Sequence, residues 1–155
     1  MATAEMAFKD SEDNLVVIMT PVLKKLLSYR QQCLTSTEAA GVLIGERRGS
    51  HMIVKSMSEP GIGDIRSRYA VDRTGSHHQA AIDEAFFRSG GTLQYLGEWH
   101  THPEDIPSPS FKDKISWKYQ LTETEPEPMI LLIVGRKKLW AAKKERGLII
   151  PIWEI

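Results

Sequence analysis

Apolar runs of about four to ten residues recur along the chain, and they predict the strands of a sheet. Clusters of glycine, serine and proline separate these runs, and Gly49-Ser50 between two of them predicts a hairpin turn. The predicted strands are 14–19, 39–48, 51–59, 68–72, 92–102, 130–135, 138–143 and 148–155. The first 13 residues are polar and aperiodic, which indicates a loose lead-in.

Three further segments repeat their apolar residues at helical spacing. They predict helices at 20–32, 77–89 and 110–121. Thr20 as the cap and Pro21 at the first helical position mark the start of the first helix, and Gly90-Gly91 ends the second. Because strands and helices are interleaved, we predict an α/β or α+β domain, with one mixed sheet and helices packed on it.

Length and composition narrow the class of protein. The 155 residues suit one domain, predicted to span 1–155, and an apolar fraction of 41% supplies a core. Lysine plus arginine equals aspartate plus glutamate, 20 of each, so the chain lacks the basic footprint typical of a nucleic-acid binder. Cys33 is the single cysteine and is interpreted as a small buried residue in a reducing cytosol. Without an apolar run of about 18 residues or a signal-peptide pattern, we predict a cytoplasmic protein with no membrane partner.

Candidate chemistry concentrates in GEWHTHPEDIPSPSFKDKISW, residues 97–117. Side chains at i and i+2 of a strand point to the same face, about 6.5 Å apart along the backbone, so His100 and His102 project together. Trp99 points the other way, toward the core, and Pro103 ends the strand just after the second histidine. Two imidazoles at this separation can reach one metal ion, and a strand end that opens into a loop leaves that ion accessible to substrate.

Asp113 is the candidate third ligand, because it lies in the first turn of the helix after the loop. Two histidines and one carboxylate would leave one tetrahedral position for water, whose pKa a zinc ion lowers to about 7. Ser110-x-x-Asp113 also matches a helix cap with an acidic third residue, and Ser108 with Pro109 is an alternative helix start. Taken alone, the pattern favours capping. Taken with the two histidines, it favours a metal ligand, and the two roles are compatible.

Metal-assisted hydrolysis needs a base, and four carboxylates are candidates: Glu38, Glu46, Glu98 and Glu104. Glu38 comes just before the apolar stretch AAGVLIG, residues 39–45, and Glu46 just after it. The two would lie about 26 Å apart if this stretch is extended, so both cannot serve one metal ion. Glu98 shares the face of His100 and would support the ligands from outside. Spacing alone does not choose among the four.

The remaining histidines are interpreted without a metal. His77 and His78 are adjacent on a predicted helix and would point about 100° apart, so we interpret them as surface or helix-start residues. His51 stands at the start of a predicted strand and is expected to face solvent. None of these residues is predicted to be a ligand.

Together, the candidate residues resemble the JAMM (MPN-plus) family of zinc metalloproteases. The signature of that family is a glutamate before a strand, E-x-x-G-x-L-x-G, followed by H-[ST]-H-P-x6-S-x-x-D. The chain reads Glu38-Ala-Ala-Gly41-Val-Leu43-Ile-Gly45, and later His100-Thr-His102-Pro103, EDIPSP and Ser110-Phe-Lys-Asp113. Every signature position is filled, and the predicted elements follow the family's order along the chain.

The resemblance implies a fold, a metal and residue roles. The fold would be of the MPN/JAB type, one curved mixed sheet flanked by about three helices. His100, His102 and Asp113 would hold Zn²⁺. Glu38 would be the general base and deliver the proton to the leaving amine, while Ser110 would stabilise the oxyanion or orient the ligands. The reaction would be hydrolysis of an isopeptide or peptide bond after the C-terminus of a ubiquitin-like or otherwise conjugated protein.

Flanking residues refine the resemblance. Glu98-Trp99 before the histidines and Trp117 after them resemble a bacterial branch of short members encoded in CBASS antiphage operons. There, a ubiquitin-ligase-like operon partner attaches the C-terminal tail of a cGAS-like nucleotidyltransferase to other proteins, and the JAMM protease releases it. The short link from Asp113 to the strand at 130 argues against a large ubiquitin clamp, so the extended tail would add beside a sheet edge.

Three alternatives stay open at this point. One is a JAMM hydrolase that processes the tail of a sulfur-carrier or ubiquitin-like protein. Another is a non-catalytic MPN scaffold, although scaffolds of that kind have usually lost the histidines or the aspartate. A third is a purely structural zinc site, which the single cysteine disfavours because such sites usually use four cysteine or histidine ligands.

Overall fold

The computed structural model describes residues 5–119 and 128–155. This part of the chain forms eleven strands and three helices. The strands are β1 (Met6–Lys9), β2 (Leu15–Ile18), β3 (Ala40–Arg48), β4 (His51–Met57), β5 (Ile65–Arg66), β6 (Val71–Asp72), β7 (Gln94–Thr101), β8 (Met129–Val134), β9 (Leu139–Glu145), β10 (Leu148–Pro151) and β11 (Trp153–Glu154). The helices are α1 (Thr20–Ser28), α2 (His77–Arg88) and α3 (Phe111–Tyr119).

Nine strands form one sheet, in the order β10-β9-β8-β7-β3-β4-β2-β1-β11. The sheet is mixed, because β2 pairs parallel with β4 and β7 with β8, whereas the other neighbours are antiparallel. β10 and β11 lie at opposite ends of this order, although Ile152 alone separates them along the chain. The sheet must therefore curl until its two ends meet. The predicted curved mixed sheet with three helices is confirmed.

The two faces of the sheet bury different side chains. The larger core contains Trp99 of β7 together with the apolar side of α1. A smaller cluster on the opposite face joins Trp117 of α3 to alternate residues of β8. Because β8 is buried on both faces, its sequence is a continuous apolar run rather than an alternating one. Since Trp99 faces the larger core, its neighbour His100 faces α3, and this alternation orients the candidate site.

The prediction of a loose lead-in is wrong for the part of it that the structure describes. Met6–Lys9 pair with β2 on one side and with β11 on the other. Phe8 lies in the larger core, 3% exposed. A strand of four residues is too short to show a periodic pattern, and its partner strands stabilise it.

Other boundaries differ more modestly. α1 ends at Ser28, and its cap is Met19 without a side-chain cap bond, so the predicted cap Thr20 is already helical. Of the strand predicted at 68–72, Val71–Asp72 form a strand, β6, which pairs with β5 in a small hairpin. The segment predicted as one closing strand at 148–155 divides into β10 and β11, which join opposite ends of the sheet.

The hairpin of β3 and β4 agrees with prediction, as does the end of α2 at two glycines with positive φ. The predicted last residues of the third helix, 120–121, lie outside the described residues. Within the described ranges, no helix is long and apolar enough to span a membrane. The assignment of 1–155 to one domain stays a prediction.

Candidate metal centre

The pairing of β3 with β7 brings Glu38, two residues before β3, to the histidines. Ala40 lies opposite His100 in this antiparallel pair. The pairing continues past the strand end, where Thr101 N donates to Ala39 O at 2.9 Å. One more step in this register places Glu38 beside the second histidine of the H-x-H-P motif.

His100, His102 and Asp113 turn their ligand atoms toward one point. The Nε2 atoms of the two histidines are 3.1 Å apart. Asp113 Oδ1 lies 3.2 Å from His100 Nε2, and Asp113 Oδ2 lies 3.0 Å from His102 Nε2. Both histidines are buried and the aspartate is half-buried. Atoms this close can share one cation at metal–ligand distances of about 2.0–2.2 Å, so the three residues fit a metal ion with the donor preference of zinc.

A capping box holds Asp113 at the start of α3. Ser110 N donates to Asp113 Oδ2 at 2.8 Å, and Asp113 N donates to Ser110 Oγ at 3.1 Å. Farther along the helix, Trp117 packs near the His100 ring and stacks on Trp140, with ring centroids 6.1 and 5.7 Å apart respectively. The predicted cap at Ser110 is confirmed, and the same helical turn presents its aspartate to the histidines.

Glu104 orients the His102 ring from its outer side. Its Oε1 lies 2.8 Å from His102 Nδ1, which directs Nε2 of the same ring toward Asp113. Burial lowers the pKa of His102, but hydrogen bonds with Asp113 and Glu104 raise it to about 9. Burial raises the pKa of Asp113, yet its bonds with the histidines hold that pKa well below its usual range. The carboxylates thus favour a positive charge at this point.

Glu38 lies on the wall of a cavity of about 250 Å³ that is also lined by His100, Asp113 and Ser110. Glu38 is 5% exposed, and burial raises the pKa of its carboxyl group to about 7. A carboxyl group with this pKa can both accept and release a proton near neutral pH.

The other three candidate bases are engaged elsewhere. Glu46 lies at the far end of β3 in ion pairs with two basic side chains. Glu98 lines the same cavity, but Arg73 holds its carboxylate through two hydrogen bonds. Glu104 is bonded to the metal-facing histidine ring. Geometry therefore favours Glu38 where spacing left four choices.

The interpretation of Cys33 is wrong, and that of the adjacent histidines holds only in part. Cys33 is exposed rather than buried. His77 and His78 begin α2, as predicted, but His78 is buried, 1% exposed, and its ring lies tilted beside that of His77, with centroids 3.9 Å apart. Candidate ligand atoms of both histidines lie within 4.8 Å of Asp64. The sequence offered no signal for this cluster, because Asp64 comes from a segment without a periodic pattern. His51 is exposed, as predicted.

Comparison with known families places this geometry in context. A family model described as prokaryotic homologs of the JAB domain matches residues 20–146. The chain belongs to this family. Membership confirms the MPN/JAB-type fold that the JAMM resemblance implied.

The JAB-domain chain is similar to proteins named CD-NTase/cGAS isopeptidase. That of Vibrio cholerae is 58% identical over 96% of this chain and 94% of the relative. That of Escherichia coli is 54% identical over 90% and 88% of the two chains. A protein of Desulfitobacterium hafniense solved in solution shares the fold with a TM-score of 0.62, at 20% identity over 89% and 88% of the two chains. The JAB-domain chain is an enzyme, a hydrolase of the JAMM type, as predicted.

Proposed function

We propose that the chain is a zinc-dependent isopeptidase that frees a cGAS-like nucleotidyltransferase (CD-NTase) from proteins to which its C-terminal tail is conjugated. One observation carries this proposal. Three candidate metal ligands meet beside a cavity that holds a buried carboxyl group, in a chain more than half identical to two isopeptidases of that name. The enzyme would act in the cytoplasm in CBASS antiphage defence and oppose a ubiquitin-ligase-like operon partner.

The metal would be Zn²⁺, held by Nε2 of His100, Nε2 of His102 and a carboxylate oxygen of Asp113. Bound zinc supplies two effects, a lower pKa for water and polarisation of a carbonyl group. The chain's own contribution is to fix the ligands in place. Glu104 orients one imidazole, and the capping box of α3 orients the carboxylate.

Glu38 would move the proton. Its carboxylate takes a proton from the water that attacks the scissile carbonyl carbon, so that a C–O bond forms. When the C–N bond breaks, the same carboxyl group gives the proton to the leaving lysine amine. The products are a tail with a free carboxyl group and a lysine with a free amine. In the metal-free protein burial raises the pKa of this carboxyl group to about 7, so the group can hold or release a proton near neutral pH.

Ser110 would stabilise the oxygen of the scissile carbonyl as it gains negative charge. Its Oγ accepts the N–H of Asp113, and its own hydroxyl hydrogen can point into the cavity that it lines. A donor positioned in this way strengthens its hydrogen bond as the charge develops. The residue would thus serve both the helix cap and the reaction.

The tail of the substrate would lie extended in the same cavity. Residues 69–74 line this cavity and include β6, one edge of which pairs with β5. An extended peptide can add its main chain to the other edge of β6 and so bring its last carbonyl group to the metal. This arrangement supports an extended C-terminal tail as the part of the substrate that the enzyme recognises.

Conjugates of defined sequence test the proposal. A CD-NTase tail and a sulfur-carrier tail would each be joined to a lysine of a reporter, and the products followed by intact-mass spectrometry. The wild type and Glu46→Ala, a matched change at the far end of β3, are expected to release the CD-NTase tail directly after its last residue. A zinc chelator or Glu38→Ala should abolish release, and Glu38→Ala should keep its zinc.

Other results would replace parts of the proposal. Full activity of zinc-loaded Glu38→Ala would exclude Glu38 as the base. Cleavage of the sulfur-carrier conjugate alone would reassign the substrate class. If neither conjugate is cleaved by a protein that binds one zinc per chain, the scaffold alternative gains support.

A further inference from the structure

The Asp64 carboxylate joins the two ends of the loop between β4 and α2. Asp64 Oδ2 accepts the N–H of Gly61 at 3.0 Å, and Asp64 Oδ1 accepts the N–H of Gly75 at 2.8 Å. The segment between these two glycines, called loop 61–75 below, carries the hairpin of β5 and β6. The Asp64 side chain is 1% exposed, and its hydrogen bonds hold its pKa low despite burial. The two ends of the loop are therefore held together through the Asp64 side chain.

A buried histidine, His78, connects the Asp64 carboxylate to the sheet. His78 Nε2 lies 3.0 and 2.9 Å from the two carboxylate oxygens of Asp64, and His78 Nδ1 lies 2.5 Å from Ser58 Oγ. Val42 N donates to Ser58 Oγ at 2.8 Å, and Ser58 N donates to Val42 O at 3.0 Å. Trp99 Nε1 donates to Ser58 O at 3.0 Å. These bonds link the loop to β3 and β7, the strands that lead to the candidate base and metal ligands.

Hydrogen bonds alone account for this network. Ser58 Oγ accepts the N–H of Val42, so its hydroxyl is free to donate to His78 Nδ1, and the tautomer with a proton on Nε2 then donates to Asp64. Burial lowers the pKa of His78, which favours this neutral ring. His77 points its Nε2 to Glu59 O at 2.6 Å and stays 3.7 Å from the Asp64 carboxylate. Although Asp64 and the two histidines are close enough to suggest a second metal site, their donors and acceptors already match one another.

The loop in turn holds the main chain of the candidate base. Glu38 N donates to Ser67 O at 2.7 Å, and Arg66 Nε donates to Glu38 O at 2.7 Å. Residues 69–74 of the same loop form part of the cavity wall. Loss of the hydrogen bonds at Asp64 would therefore allow both Glu38 and the cavity wall at residues 69–74 to move.

We propose that Asp64 and His78 are positioning residues for the hydrolysis, which lock loop 61–75 so that it fixes Glu38 and the cavity wall. This inference rests on the proposed role of Glu38 as the base. A displacement of about 1 Å in a reacting group can cost about 100-fold in rate. The loss should be larger in kcat than in KM, because the metal ligands stay in place and only the part of the cavity wall formed by residues 69–74 moves with the loop.

Paired substitutions separate positioning from general stability. Asp64→Asn places an amide N–H where three donors converge, whereas Asp83→Asn makes the same change at an exposed position of α2. His78→Gln keeps a donor for Asp64, but His78→Asn is too short to reach it. Arg66→Ala changes an exposed side chain, so it tests the bond to the main chain of Glu38 even if the buried variants fail to fold.

The readouts are kcat and KM on the conjugate cleaved by the wild type, zinc per chain, and hydrogen exchange at the Glu38 amide. For Asp64→Asn and His78→Asn we expect kcat about 10- to 100-fold lower, KM within about threefold of wild type and one zinc per chain. The Glu38 amide should exchange about tenfold faster. Arg66→Ala should show a smaller loss of the same kind, His78→Gln should recover most of kcat, and Asp83→Asn should match the wild type.

The proposal is overturned if Asp64→Asn and Arg66→Ala keep full activity, or if activity falls only because zinc is lost. It is also overturned if the wild type binds two zinc ions and His78→Asn binds one, since His78 would then be a ligand. Failure of the proposed function looks different. In that case the wild type itself is inactive, or Glu38→Ala remains active, before any loop variant is compared.

Discussion

Glu38 is a carboxyl group whose burial opposes its own ionisation. In the folded metal-free protein its pKa is about 7, against an ordinary value of 4.5. Between these two pH values the unfolded chain has lost this proton while the folded chain retains it, so folding becomes less favourable as pH rises. The cost is complete above the folded pKa. A buried ionisable group without a compensating charge reduces stability in this way.

We therefore expect Glu38→Gln to stabilise the metal-free protein at pH 8, by up to about 3 kcal/mol, and much less at pH 5. Chemical unfolding curves at the two pH values measure the difference. Glu46→Gln is the matched control, because that carboxylate is ion-paired at the other end of β3. Equal stabilisation by Glu38→Gln at both pH values would contradict the raised pKa.

At the residue scale, the sequence singles out the candidate metal ligands more directly than the candidate base. His100 and His102 follow from the two-residue period of a strand, which is local information. Glu38 is distant in sequence and reaches the histidines only through the register of β3 against β7. That register depends on long-range strand pairing, so spacing could nominate Glu38 but could not choose it.

At the scale of elements, the start of α3 combines two functions in one turn. The Ser110 hydroxyl accepts the N–H of Asp113, and the Asp113 carboxylate accepts the N–H of Ser110 while facing the histidines. Ser110→Ala removes one half of this box. We expect it to destabilise the metal-free protein by about 1 kcal/mol. It should also weaken zinc binding, about tenfold, because the ligand is less well oriented.

Ser110→Thr keeps the hydroxyl and serves as the control. Thermal unfolding without metal and competition with a chelator measure the two effects. If Ser110→Ala loses activity but keeps both stability and zinc affinity, the hydroxyl acts on the carbonyl oxygen alone, and the coupling of cap to ligand is wrong.

Helices were predictable from their period, and long strands from their apolar runs, because both signals are local. β1 was not, since four residues cannot display one and its partners come from both ends of the chain. Of the hairpin of β5 and β6, only β6 falls within a predicted strand, because two-residue strands depend on the bonds that tie their loop to Glu38 and Asp64. What the sequence lacks in these cases is the identity of distant partners.

At the scale of the whole molecule, the larger hydrophobic core and the candidate metal site lie on opposite faces of the curled sheet. β10 and β11 join opposite ends of the strand order, and Lys143 Nζ of β9 bonds Asp10 Oδ2, just beyond β1, at 2.9 Å. Most large buried side chains lie on the face opposite α3. The candidate ligands lie on the α3 side, where the buried cluster is smaller. The fold thus does not depend on the metal for its core.

Removal of the metal should consequently abolish activity and leave the fold. A bound ion stabilises the folded state by mass action, by about 4 kcal/mol at free zinc a thousandfold above Kd. For a chain of this length we expect the chelated protein to unfold about 10 °C lower, with an unchanged circular dichroism spectrum at 25 °C. His100→Ala should show this lower Tm with or without chelator. Loss of the folded spectrum at 25 °C on chelation would instead reveal a structural zinc site. A domain unfolds without its metal only when metal binding supplies free energy that its core packing does not.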